Sequence, residues 1–225
     1  MKRTKTAERT KQVKKTKKAP SKRRPAARAL KAKAASPKKT KPKVERSFSQ
    51  ALVTPAPSGS WHFPVRKPGE RFYWLLKQEP TDFSFDDLWA SPTRTTNWEG
   101  VRNFVARSFL RDHIKPGDHA FFYHSNAEPS AVVGIVEVVR DGYPDATAFD
   151  KQSDYYDPKS SPIAPAWFQV DVRAVEKLPR AVSLAEIRSD PDLASLVLLH
   201  ISQLSVQPVT KNEWDAIVRL ARRPG

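Results

Sequence analysis

The stretch "SAVVGIVEVVRDGY", residues 130–143, decides the fold class. Read as an extended strand, it sends Val132, Gly134, Val136 and Val138 to one face and Val133, Ile135, Glu137 and Val139 to the other. Both faces are mostly apolar, so the strand belongs to a sheet packed on two sides or closed on itself. Three further strands are predicted around it. "RFYWLLK" (71–77) is an aromatic, apolar run that stops at "QEP", where Pro80 disfavours continuation. "HAFFYHS" (119–125) follows the "KPGD" turn, and in "AWFQVDVRAVEKL" (166–178) Phe168, Val170, Val172 and Ala174 alternate with Gln169, Asp171 and Arg173.

Helix starts are written in the caps. Ser84 with Asp87 resembles a capping arrangement opening a short helix through Leu88 and Trp89, and Ser183 with Glu186 repeats it. Thr210 with Glu213 opens the final helix "NEWDAIVRLARR". "GVRNFVARSFLRDH" (100–113) has Val101, Phe104, Val105 and Ser108 spaced for one helical face. Strands and helices mix without the regular βαβ alternation of a doubly wound sheet. The expected fold is mixed α/β, a small, partly closed β-barrel with flanking helices over residues 70–222.

The charge is divided sharply along the chain. Residues 1–50 hold 20 Lys and Arg against 2 Glu, a balance of +18, while the remainder carries −2 of the total +16. A Lys/Ala/Pro-rich segment with almost no aliphatic runs cannot bury enough surface to offset chain entropy, so 1–50 is expected to be a disordered basic tail. Residues 51–69 read as a Pro-rich linker that becomes ordered near Trp61. The chain has no cysteine, which excludes disulfides, thiolate metal sites and a thiol nucleophile. The N-terminus lacks an apolar h-region and no run approaches 18 apolar residues, so an intracellular chain that does not span a membrane is expected.

Candidate chemistry concentrates in "TNWEGVRNFVARSFL", residues 96–110. A helix start offers unpaired N–H groups, Gly100 permits close approach, Asn103 is both donor and acceptor, and Trp98 is a flat apolar wall. Together these suit a nucleobase, which wants a stacking face and hydrogen bonds along an edge. The same residues also fit a purely structural account in which Gly100 is a cap, Trp98 is core and Arg102 pairs with a carboxylate. "FFYHS" places Tyr123 and Ser125 on one strand face, either as ligand contacts or with Tyr123 in the core. Adjacent His124 and Ser125 diverge along a strand and are no nucleophile pair. The five histidines have no metal-ligand spacing, and neither a Walker loop nor G-x-S-x-G occurs. No catalytic residue, metal or cofactor is expected.

"YWLLKQEPTDFSFDDL", "WEGVRNFVARSFLR", "GDHAFFYHS", "GIVEVV", "YYDPKS", "WFQVDV" and "LSVQPVT" occur in this order over residues 72–222. In these phrases the chain resembles the EVE domain family, in its thymocyte nuclear protein-like branch. The resemblance implies a PUA-like fold related to the YTH readers of methylated adenine. It also implies a pocket that accepts a flipped, modified base, modified cytosine such as 5-methylcytosine foremost. Carried onto this sequence, the base pocket comprises Lys77, Glu79 and Pro80 from the loop after the first strand, and Trp98, Gly100, Val101, Arg102 and Asn103 from W-x-G-V-R-N. Tyr123, His124 and Ser125 come from "YHS", with Ser205 and Val206 nearby. Gln78 departs from the Ser of similar proteins and bears on a rim contact.

The expected function is non-enzymatic recognition of a modified base in DNA or RNA by a monomer. Lys14, Lys15, Lys17, Lys18, Lys22, Arg23, Arg24, Lys38 and Lys39 of the tail would neutralise phosphates and add sequence-independent affinity. The expected location is the nucleus of a eukaryote, or the cytoplasm and nucleoid of a bacterium. Two other classes compete. One is a nucleoid or chromatin structural protein dominated by the tail; the other is a hydrolase acting on a base-like metabolite, for which no acid–base pair is evident.

Overall fold

The computed structural model describes residues 61–224. The basic tail and residues 51–60 of the linker lie outside the described residues. Strand β1 (Tyr73–Gln78) leads into helix α1 (Phe85–Ala90), a short strand β2 (Thr95–Asn97) and helix α2 (Phe104–Ser108), which runs on as a π-turn over Phe109–His113. Strands β3 (His119–His124), β4 (Ala131–Pro144) and β5 (Phe168–Ser183) follow. The chain ends through α3 (Leu184–Ser189), α4 (Val197–His200), β6 (Val206–Val209) and α5 (Lys211–Ala221).

The six strands form one sheet in the order β2-β5-β4-β3-β1-β6. It is mixed and not closed, with β2 and β6 as its edges. Of the paired strands only β1 and β3 run parallel, so their carboxyl ends lie side by side, Lys77 beside Tyr123 and Gln78 beside His124. Apolar clusters cover both faces. Trp74, Leu76, Phe122, Val136, Val170 and Val172 pack with α1 and the α2 region on one face, while Leu75, Phe121, Ile135, Leu178 and the apolar side of α5 pack on the other. Of the two arrangements that residues 130–143 allow, a sheet packed on two sides or one closed on itself, the first is the one formed.

Period-two counting fails at one place in β4. Tyr123 pairs with Val132 and Phe122 with Gly134, which leaves Val133 as an extra, bulged residue. The bulge shifts the strand by one, so Val132 joins Ile135 in the cluster on the α5 face instead of sharing the face of Val136 and Val138. Gly134 has its own reason to lack a side chain: a Cβ there would sit 2.2 Å from the Phe85 ring. Strand β5 carries a matching irregularity, since Ile135 pairs with Glu176 and Val136 with Ala174, leaving Val175 exposed. The short edge strands β2 and β6 carried no periodic signal, and β6 tolerates Pro208 because an edge strand can spare an N–H.

All three capping boxes form, at Ser84–Asp87, Ser183–Glu186 and Thr210–Glu213. Helix α2 differs from its expected face. It starts only at Phe104, because the Asn103 side chain accepts the Val105 and Ala106 N–H groups and makes Asn103 the cap. Its buried side is therefore Ala106, Phe109 and Leu110, while Phe104 is 64% exposed.

Residues 61–69, expected as linker, pack on the domain. Phe63 lies 5.6 Å from Trp74 and stacks on His113 at 4.0 Å, and Trp61 meets Phe109 edge-on at 5.2 Å. Arg66 fastens the strap. Its guanidinium donates two hydrogen bonds, of 2.6 and 2.9 Å, to fully buried Asp118, which also accepts from the Phe72 and Lys115 backbone N–H groups and the Trp74 indole. Removing one partner of such a pair strands the other in a low dielectric. Asp118→Ala is expected to lower stability by about 3–5 kcal/mol and to speed proteolysis at Arg66. An unchanged denaturation midpoint would show the pair to be idle.

Candidate nucleic-acid interface

The expected site residues fall into two groups joined by Trp98. The first group collects at the carboxyl ends of β1 and β3. The Lys77 N–H donates to the Ser205 carbonyl at 2.9 Å, and the Ser125 N–H donates to the Gln78 carbonyl at 2.8 Å. Lys77, Gln78, Glu79, Pro80, His124, Ser125 and Ser205 are all half-buried there. The Lys77 ammonium donates to the Ser202 carbonyl at 2.7 Å, and burial pulls its pKa down. Glu79 accepts from the Asn126 amide at 2.6 Å, which ties the two loops together across the strand ends. The His124 ring accepts the Phe85 N–H at Nε2, which requires that nitrogen to be unprotonated. Burial lowers its pKa to match, against a small opposing pull from Asp86.

The second group is the loop before α2. Gly100 has φ +75, and a Cβ would come within 2.7 Å of the Tyr155 ring, so the close approach it allows is made by the protein's own aromatic. Arg102 engages all five donors. It donates to the Tyr155 carbonyl from Nε and Nη2, to Asp145 at 2.7 Å and the Val101 carbonyl from Nη1, and to Thr147 from Nη2. Asp145 is fully buried and also accepts from the Gly100 N–H and from Thr147. Burial alone would raise its carboxyl; Arg102, Thr147 and the Gly100 N–H outweigh it and hold the pKa below the ordinary value. Arg102 is thus the bolt between the 98–103 loop and the segment after β4. Asn103 spends its oxygen on the helix cap, which also occupies N–H groups expected to face a ligand. Its Nδ2 makes no hydrogen bond among the described residues.

Trp98 is 5% exposed, with its ring edge-to-face on Phe122 at 5.3 Å; Phe122 in turn meets the His124 ring at 5.6 Å. It forms the buried wall between the two groups. Val101 and Val206 are buried in the same cluster. Tyr123 is not brought to this place. Its side chain is buried in the cluster on the α5 face of the sheet, where burial pushes the phenol pKa up. Asp145, Tyr155 and Trp167, which complete the loop, lie more than 40 residues beyond Arg102 in sequence, and only the phrases around Tyr155 and Trp167 hinted at a role. A groove of about 400 Å³ between α3 and α5, lined by Glu186, Asp190, Arg219 and Leu220, includes none of these residues. Among the described residues no cluster of three or more His, Asp or Glu could hold a metal, and no helix is long and apolar enough to cross a membrane.

Two consequences are measurable. Asp145→Ala strands the Arg102 guanidinium and is expected to cost about 3 kcal/mol or more, with loss of protection against proteolysis in 145–160. His113, His119 and His124 are each held below the ordinary imidazole pKa, burial being the largest cause. The unfolded chain therefore takes up protons first, so stability falls as pH drops below about 6.5 and levels off once the folded rings protonate. His124→Gln is expected to flatten that fall in a series of denaturation midpoints from pH 7 to 5; an equal slope would remove His124 as a contributor.

Residues 72–220 match the EVE domain family. Thymocyte nuclear protein 1 of Homo sapiens is 39% identical over 168 residues, which is 67% of this chain and 74% of that protein. A hypothetical protein from Leishmania major has a solved structure 41% identical with a TM-score of 0.65, covering 69% of this chain and 97% of that one. The crystal structure of human THYN1 protein in complex with 5-methylcytosine containing DNA is 38% identical with a TM-score of 0.66, covering 68% of this chain and 99% of that one. The match runs through both groups of site residues, from β1 to α5, and the chain belongs to the EVE domain family.

Proposed function

We propose that this chain is a non-enzymatic reader that takes a modified base, modified cytosine foremost, from DNA or RNA into the space between the β1 and β3 carboxyl ends and the 98–103 loop. The observation that carries the proposal is the human relative, similar along the whole domain, whose structure holds 5-methylcytosine containing DNA. The local chemistry agrees with it. Trp98 gives an apolar wall, Asn103 Nδ2 and the Ser125 hydroxyl give polar groups for a base edge, and Lys77 gives a cation at the rim. Glu79, Pro80, His124, Gly100, Val101, Ser205 and Val206 shape the remainder. Arg102 acts by positioning, and Tyr123 supports the sheet from behind.

A base stacked in a duplex cannot reach such a place, so the target is flipped or already single-stranded, at a cost of a few kcal/mol. Burial of one methyl returns about 0.8 kcal/mol, roughly a fourfold preference. A hydroxymethyl that finds a partner adds about 1 kcal/mol, and a mismatched buried donor penalises a wrong base by about 1–3 kcal/mol. Selectivity in the domain is therefore modest, and total affinity leans on the tail. Lys14, Lys15, Lys17, Lys18, Lys22, Arg23, Arg24, Lys38 and Lys39 contact phosphates and release counterions. In a eukaryote the proposed location is the nucleus, a reading supported by the name of the human relative.

The competing account, a coating protein dominated by the tail, is favoured by the +18 balance of residues 1–50. Binding of the full chain to matched oligonucleotides carrying cytosine, 5-methylcytosine or 5-hydroxymethylcytosine separates the two. The expected result is about a fourfold preference for the methylated site, reduced by Trp98→Phe, while Ser125→Ala weakens binding to all three oligonucleotides alike. Trp98→Phe keeps an aromatic in the buried position, where Ala would open a cavity. Replacing Lys14, Lys15, Lys17 and Lys18 by Gln is expected to lower the salt slope on duplex DNA by up to about 4 and leave the preference intact. Equal binding to all three oligonucleotides would move the function to the tail.

A further inference from the structure

Phe104 and Arg107 are left unused by the pocket, and both are unusual. Phe104 is the first residue of α2 and is 64% exposed, although it follows directly on Asn103 at the edge of the proposed site. Its ring is not free to turn. It stacks on Trp167 with centroids 4.9 Å apart and planes 26° from parallel. Trp167 is itself fixed: it is buried, its indole N–H donates to Asp157 at 2.7 Å, and the Arg102 guanidinium sits 5.3 Å from its ring centre. An exposed phenylalanine is therefore held flat on a rigid backing.

Arg107 reaches over the Phe104 ring, with its guanidinium carbon 5.0 Å from the ring centre. Its neighbours Arg102 and Arg111 each have a carboxylate partner, Asp145 and Asp112. Arg107 has none among the described residues. Its single hydrogen bond is a long one, 3.4 Å, from Nη1 to the Ala166 carbonyl, and its buried Nε has no acceptor. A half-buried guanidinium with no ion-pair partner, and with only the longer-range charge of Asp112 near it, has desolvation against it that an anion would offset.

An exposed aromatic ring with a guanidinium that lacks an ion-pair partner matches the two ends of one nucleotide. The ring accepts any base by stacking, and the cation meets the phosphate. We propose that Phe104 and Arg107 form a platform for the nucleotide that neighbours the base in the pocket, the base lying on Phe104 and its phosphate on Arg107. The proposal rests on the base-reader function given above and adds a second position to it. It assigns the platform no base preference: the pocket reads the modification, and the platform holds the opened strand so that the neighbour does not restack over the vacated gap.

The test uses the full chain and an oligonucleotide with one 5-methylcytosine and 2-aminopurine as its immediate 5′ or 3′ neighbour. Stacking on Phe104 is expected to change the 2-aminopurine fluorescence on one of the two sides. Phe104→Ala and Phe104→Leu are expected to abolish that change and to weaken binding about tenfold, the scale of one base–aromatic stack, with the salt slope unaltered. Arg107→Gln is expected to lower the slope by about 1, and Arg107→Lys to restore it. All four variants are expected to keep the wild-type ratio of 5-methylcytosine to cytosine affinity. Phe104 is mostly exposed, and an unchanged thermal midpoint confirms that its variants fold. A fluorescence change that persists in Phe104→Ala overturns the platform, as does a variant that alters the methyl ratio without altering the fluorescence. Failure of the base-reader function shows separately, as a wild-type chain with no methyl preference.

Discussion

The buried pair of Arg102 and Asp145 is the constraint on which the site depends. One guanidinium with five occupied donors joins the loop before α2 to the segment after β4, and one carboxylate with no exposure gathers the Gly100 N–H, Thr147 and Arg102. Neither charge is tolerable alone in that position, so the two segments are held as one. Gly100 completes the joint by accepting a positive φ and leaving room for the Tyr155 ring. The same guanidinium reaches Trp167, and through Trp167 the backing of Phe104. Arg102 therefore fixes the 98–103 loop and the backing of Phe104 while having no donor left over.

A second constraint comes from topology. The parallel pairing of β1 and β3 sets their carboxyl ends together, and the loops that follow are joined by the Ser125–Gln78 and Asn126–Glu79 hydrogen bonds. Lys77, Gln78, His124 and Ser125 gather at those ends, and the Trp98 ring stands edge-on to Phe122 behind them. The amino ends of the same strands are closed by the Arg66–Asp118 strap. One end of the sheet is thus closed by a buried ion pair and the other by polar, half-buried residues.

How much of this was legible in the sequence depended on range. The caps at Ser84, Ser183 and Thr210 are written in four residues each and form as read. The alternation in 168–174 was equally local, and Val170, Val172 and Ala174 share one buried cluster. Residues 130–143 revealed that both faces are covered but not that Val133 bulges, because a bulge is decided by the partner strand. Asn103 could be seen as donor and acceptor, yet its choice to cap α2 moved the helix start and turned Phe104 outward. The pairing of Arg102 with a carboxylate was open from the start, but its partner lies 43 residues away and no spacing rule reaches it. Tyr123 went to the opposite face of the sheet from Trp98 for a simpler reason: it adjoins Phe122, and neighbours in a strand point apart.

Asn103 carries an implication of its own. Its oxygen is pinned by two backbone N–H groups, so the amide cannot rotate to exchange its ends. A free asparagine is ambidextrous; this one can only give a proton to whatever stands opposite. The helix cap thereby removes one half of the side chain's chemistry: the backbone of α2 has fixed the Asn103 amide as a donor with no acceptor to offer.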